Sequence, residues 1–221
     1  MRSPFQNVSD EQWSKLAEDQ RSIQFLAGAR LPLMWQVKAR QHKRSADIIY
    51  EVAREANSRE MSRFVEETRS GTATGFRTIE GQEREDLLDQ HLIFEYYLLI
   101  GYALECLLKG YLLAILPELV KRRLDSVIVT HDLTELCRDA NMVVSDEEKQ
   151  LLDFLTQCIY WQSKYPVPLK LAASPSPLAP PELPQKVRTP FNSGLKVALD
   201  EMCVRASIQL EAERQRLVLS K

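Results

Sequence analysis

Apolar residues recur along this chain at intervals of three and four, the spacing of one helix face, and no stretch keeps the apolar–polar alternation of a half-buried strand. Ser9 and Gln12 have the spacing of a capping box, with Trp13, Leu16, Ile23 and Leu26 sharing a stripe behind it. Pro32 suits a helix start, and a charged, alanine-containing stretch follows from Leu33 to Glu67. Val37, Ile48, Ile49, Val52, Met61, Phe64 and Val65 are the apolar contacts expected of it. The run Ser70-Gly-Thr-Ala-Thr-Gly75 is a loop. A third helical stretch starts near Glu80–Glu85 and runs through a long apolar segment to Leu116, where Pro117 marks a boundary. Thr130 suits the N-cap of a short helix, HDLTELCRDA, and Ser145 with Glu148 forms a second capping box ahead of Leu151, Leu152, Leu155, Ile159 and Trp161. The prolines of YPVPLKLAASPSPLAPPELPQKVRTP forbid regular structure. Asn192 or Ser193 then caps a last helix carrying Leu195, Val197, Leu199, Met202, Ile208 and Leu210.

The expected fold is all-α. It divides into an N-terminal helical extension, residues 1–70, and an antiparallel helical bundle, residues 78–221, that includes a proline-rich loop at 165–190 before the last helix. Two helices bury too little surface to stand alone, so the extension is expected to pack on the bundle or on a partner.

The segment Leu92–Leu116 is long enough to cross a bilayer. It carries Glu95, Glu105 and Lys109, and charges are costly at membrane depth, which favours a buried central helix and no membrane. With about 100° per residue, Arg84, His91, Glu95, Tyr102, Glu105 and Lys109 fall within a quarter-turn of one another, with Leu88 and Leu98 filling the gaps. Such a stripe faces solvent, a wet groove, or a matching helix of a second copy, since unpaired burial is prohibitive. Glu105 and Lys109 stand four apart in the order that favours an ion pair within the helix.

Charge and cysteine usage narrow the chemistry. Lys and Arg total 29 against 31 Asp and Glu, a net charge of −2, so any contact with nucleic acid needs a local basic patch. Lys121, Arg122 and Arg123 are one such cluster, with a solvated face as the plain alternative. Four scattered cysteines without CxxC or a nearby histidine pair argue against a zinc site and fit a reducing cytoplasm. The start, MRSPFQNVSDEQW, lacks the apolar core of a signal peptide. Glycine loops that cradle phosphate, nucleophile elbows and metal motifs are missing, so no cofactor is expected. Arg84 and His91, six residues intervening, are about 10 Å apart along a helix axis and could straddle a phosphodiester: histidine as acid or base, arginine on the developing charge.

Three segments together resemble HEPN-type proteins: Gly101-Tyr-Ala-Leu-Glu-Cys-Leu-Leu-Lys-Gly110, His131-Asp-Leu-Thr-Glu-Leu136 and Tyr160-Trp-Gln-Ser-Lys-Tyr-Pro166. The match spans about residues 88 to 168, plausibly continued by the last helix, and leaves the first 75 residues uncovered. The resemblance implies a bundle of four or five helices, commonly a homodimer, in RNA-processing, toxin–antitoxin or antiphage roles. Many members are metal-independent ribonucleases with an Arg-x4–6-His motif near the C-terminal helix. Here no histidine follows His131, and the pair with that spacing, Arg84 and His91, lies on an earlier helix. Non-catalytic members bind RNA, nucleotides or proteins. Candidate binding residues are Glu105, Lys109, Lys121, Arg122, Arg123, His131, Lys164 and Tyr165. The plain alternatives are that His131 and Asp132 cap their helix and that Lys164-Tyr165-Pro166 merely ends one.

Two other functions fit the residues. A helical protein–protein interaction module would use the N-terminal helices or Pro175–Pro184, since proline favours the extended form that grooves recognise. A small-molecule sensor would line a pocket with Tyr97, Tyr102, Tyr111 and Trp161, aromatics whose ordinary place is the core.

Overall fold

A computed structural model of the protein describes residues 10–71, 81–120, 124–162, 191 and 193–219, with the side chains of residues 10, 12, 13, 161 and 162 excepted. The Ser9–Gln12 box, the proline-rich loop, Lys121, Arg122, Arg123, Lys164 and Tyr165 lie outside the described residues. Among the described residues eight α-helices follow one another: α1 (Asp10–Arg30), α2 (Pro32–Ser70), α3 (Gln82–His91), α4 (Ile93–Ile115), α5 (Ser126–Val129), α6 (Leu133–Asp139), α7 (Asp146–Gln157) and α8 (Ser193–Leu219). A 3₁₀ turn at Pro117–Leu119 follows α4, and a π turn at Cys158–Gln162 ends α7. Among the described residues the only extended pairing is a single bridge between Val120 and Leu124, so the fold is all-α.

Local chemistry sets the helix ends. Pro32 starts α2, and Leu31 before it is held extended, as a residue preceding proline must be. Gly71 closes α2 in the left-handed region at φ 69°, its N–H donating to the Glu67 carbonyl, a conformation that favours glycine. The Ser145–Glu148 capping box forms: Glu148 N–H donates to Ser145 Oγ at 3.2 Å and Ser145 N–H to Glu148 Oε2 at 2.8 Å. Ser145→Ala is expected to lower stability by about 1 kcal/mol, measured as a shift in the urea midpoint at constant m. The short helix is capped by Asp132 rather than Thr130: Glu135 N–H donates to Asp132 Oδ1 at 2.9 Å, while Thr130 Oγ1 accepts from Asp132 N–H.

The expected single rod from residue 80 to 116 is jointed at Leu92. Its N–H reaches back to the Asp89 carbonyl at 3.1 Å, a tightened turn, and no helix-breaking residue there accounts for it. The stretch Gln82–Ile115 is long and apolar enough to cross a membrane by composition, and 67% of its most apolar window is buried inside the bundle. α4 is the centre: Tyr96, Tyr97, Ile100, Leu104, Leu108, Leu112 and Leu113 are fully enclosed.

α2 runs antiparallel to α3 and α4. Trp35 lies against Gly110, the rings of Tyr50 and Tyr96 are 5.0 Å apart, and Arg63 reaches Asp86 at 2.6 Å, so the start of one meets the end of the other. The buried face of α2 is small: Ala39, Ala46 and Ala53 repeat every seven residues, joined by Gln36, Tyr50 and Ala56. That repeat keeps one seam on the partner and lets the backbones approach. Val37, Ile48, Val52, Met61, Phe64 and Val65 are exposed, Ile48 by 59% and Phe64 by 58%; of the expected contacts only Ile49 packs against the core. α8 packs against α4 beside α2 and antiparallel to it, with Lys196 bonded to Asp47 and Glu211 accepting from Gln36. Lys43, Asp47, Lys196 and Asp200 form a four-charge lattice at 2.6–3.0 Å between α2 and α8. α1 touches the body chiefly at its end, where Arg30 donates to the Val120 carbonyl at 2.7 Å and Trp35 Nε1 to the Ala29 carbonyl at 2.8 Å.

Candidate functional site

The polar stripe divides at the Leu92 joint. On α3, Arg84 and His91 are exposed, and the His91 ring stacks with Phe94 at 6.5 Å. On α4, Glu105 and Lys109 are buried, at 8% and 5% exposure. Fourteen residues separate His91 from Glu105, about 20 Å along the rod, so the two groups are not one cluster. The asymmetry follows from what covers each helix. α4 is enclosed by α2, α6, α7 and α8, whereas α3, among the described residues, packs chiefly against α2. α3 buries one polar residue, Asp86, beneath the guanidinium groups of Arg59 and Arg63, which hold its carboxyl well below the usual carboxylate range.

The buried group on α4 is an ion pair with one partner outside the helix. Lys109 Nζ donates to Glu105 Oε1 at 2.7 Å, the i,i+4 pair expected from the sequence. Glu105 Oε2 contacts His131 Nδ1 at 2.9 Å. A carboxylate only accepts, so Nδ1 carries the proton and Nε2 is the open nitrogen. His131 is therefore a partner of Glu105; capping of α6 falls to Asp132 alone. The Tyr160 ring stands edge-on to His131 at 5.8 Å, delivered by the π turn, whose wider pitch resets the phase of the side chains after α7.

On the other flank, α2 adds His42, its ring 5.5 Å from Tyr102. Burial, followed by the charge of Lys38, lowers the His42 pKa, and Glu105 opposes the shift. The sequence reading had not singled out His42 and Lys38. Their signal was Lys38-Ala-Arg-Gln-His-Lys-Arg44, five basic or histidine residues in seven, with Lys38 and His42 four apart on one face. Lys38, Arg40 and Arg44 are exposed, whereas Lys43 belongs to the lattice with α8.

Of the predicted site residues, then, Glu105, Lys109 and His131 come together, and Arg84 and His91 stand apart on the exposed face of α3. The thiols contribute little chemistry: burial pushes Cys106 up to about 11 and Cys137 and Cys203 up to about 12, leaving them protonated and unreactive at neutral pH. Tyr97 is a core residue, edge-on to Phe154, while Tyr102 and Tyr111 are half-buried, so the four-aromatic pocket of the sensor reading is not assembled from these three. Among the described residues no group of three or more His, Cys, Asp or Glu side chains is placed to hold a metal ion. No family model, curated protein or solved structure matches the chain.

Proposed function

We propose that this is a HEPN-like RNA-associated protein acting as a homodimer. One observation carries the reading: the three separated segments that resemble that family meet at one point. Glu105 comes from the first, His131 from the second and Tyr160 from the third, joined by a 2.9 Å contact and an edge-on ring pair. A chance resemblance in three short segments carries no requirement that their polar residues touch. In this reading Arg84 and His91 are the ribonuclease pair, open on α3 to a polyanion, and a toxin or antiphage role follows from RNA cleavage. The test is incubation of the purified protein with structured and single-stranded RNA in EDTA. Cleavage abolished in Arg84→Ala and in His91→Ala is the expected result. Undiminished cleavage by both variants removes that assignment, and failure to bind either RNA removes the RNA reading.

A second reading, a helical protein–protein interaction module, is favoured by α1. That helix carries Leu16, Ile23 and Phe25 exposed, and the first turns of α2 expose Leu33, Met34 and Val37. Deletion of residues 1–25 would abolish partner capture if α1 is the docking element; capture unchanged by the deletion would eliminate it.

A further inference from the structure

The cluster on α4 has unused binding capacity of one chemical kind. Lys109 is 5% exposed and its ammonium carries three donors, yet its one hydrogen bond among the described residues goes to Glu105 Oε1. A buried donor without an acceptor is costly, and a charged one more so. Each oxygen of Glu105 already accepts one bond, Oε1 from Lys109 and Oε2 from His131. Around this neutralised pair stand Lys38, exposed and unbonded, His42, half-buried, and His131, whose Nε2 is open. Lys38 adds a positive charge on the α2 side of this neutralised pair, while the acidic Asp132 and Glu135 stand at the start of α6 beside His131. Two aromatic rings flank the cluster: Tyr102 beside His42, and Tyr160, 47% exposed, beside His131.

We infer that Lys38, His42, Lys109 and His131 form a phosphate-binding subsite for a nucleotide, with Tyr160 as the stacking surface for its base. This rests on the RNA-associated reading and deepens it by naming where the strand is held: Glu105, at its centre, is about 20 Å along the helix axis from His91 and about 30 Å from Arg84. The donor set fits a phosphate monoanion or dianion: one buried ammonium, one mobile ammonium and two imidazoles that donate once protonated. Phosphate would add a second acceptor to the one Lys109 has in Glu105, and its charge counters the burial and the Lys38 field that lower the His42 pKa. An exposed aromatic beside the phosphate donors gives recognition of single-stranded bases without sequence readout. The same chemistry would take a free mononucleotide, so both sources belong in the test.

The protein has three histidines, His42, His91 and His131, and their ring Cε1–H signals can be assigned with one substitution each. The full chain is titrated separately with a short uridine oligonucleotide, uridine monophosphate and inorganic phosphate. The expected result is movement of the His42 and His131 signals with His91 unmoved, and about tenfold weaker oligonucleotide binding in Lys38→Ala. Arg54→Ala, an exposed cation further along α2, should leave affinity unchanged. Tyr160→Leu should weaken the oligonucleotide and spare inorganic phosphate. Oligonucleotide binding that moves His91 alone, or that survives Lys38→Ala undiminished, overturns the subsite and leaves the RNA reading standing. Monophosphate binding at His42 and His131 without oligonucleotide binding keeps the subsite and removes the RNA reading. No movement of any histidine with any probe overturns both.

Discussion

Replacing Gly110 by alanine is expected to destabilise the protein by about 1–3 kcal/mol, although alanine is the better helix former by about 1 kcal/mol. Gly110 sits where α4 crosses both neighbours. A Cβ there would stand 2.7 Å from Trp35 Cβ and 3.2 Å from Leu210 Cδ2. The nearer atom is the root of a side chain, so no rotamer change moves it; α2 itself must shift. The Trp35 ring is also tied by its Nε1 hydrogen bond to the Ala29 carbonyl. Gly101 is the control. A Cβ there meets the Ile159 side-chain end at 3.0 Å, an atom that can swing aside, so Gly101→Ala should cost far less. Urea unfolding of the two variants decides the matter: equal midpoints, or a Gly110→Ala protein as stable as the parent, would mean that α2 does not lie this close to α4.

The close crossing is also why part of the fold could not be read from the sequence. Helix content, the Ser145 capping box and the Glu105–Lys109 pair are local, set by spacings of three and four, and local spacing is what a sequence displays. Which face of α2 turns inward is not local. Large apolar residues usually mark the buried side, but here Ala39, Ala46, Ala53 and Ala56 make up most of it, with Tyr50 against Tyr96 the one large ring, because the close approach to α4 leaves room mainly for methyl groups. Val37, Ile48 and Phe64 were consequently assigned to the core and stand outside it. The same limit applies to the site. Glu105 and Lys109 share a helix and could be paired by counting, whereas His131 lies 26 residues from Glu105 and His42 on another helix altogether. Arg84 and His91 were joined to Glu105 by periodicity alone, which assumes one uniform rod and equal cover along it; the Leu92 joint and the thin cover of α3 break both assumptions.

Lys109→Met is expected to cost about 3 kcal/mol, and the double variant Glu105→Gln/Lys109→Met to recover most of that loss. The side chains of Glu105 and Lys109 are 10% and 6% exposed, so water screens them poorly and each charge depends on the other. Taking away the ammonium leaves a buried carboxylate with His131 as its one remaining partner, a penalty of desolvation rather than of a lost contact. Methionine keeps the volume and straight stem of lysine, so packing at this buried position is preserved and the loss reports charge. Removing both charges takes the penalty away, because glutamine at 105 can still accept from His131 through its amide oxygen. Urea unfolding of the parent, both single variants and the double variant gives the coupling directly. A Lys109→Met protein with the parental midpoint would mean that the pair is solvated, and a double variant no better than Lys109→Met would mean that the site is held by shape.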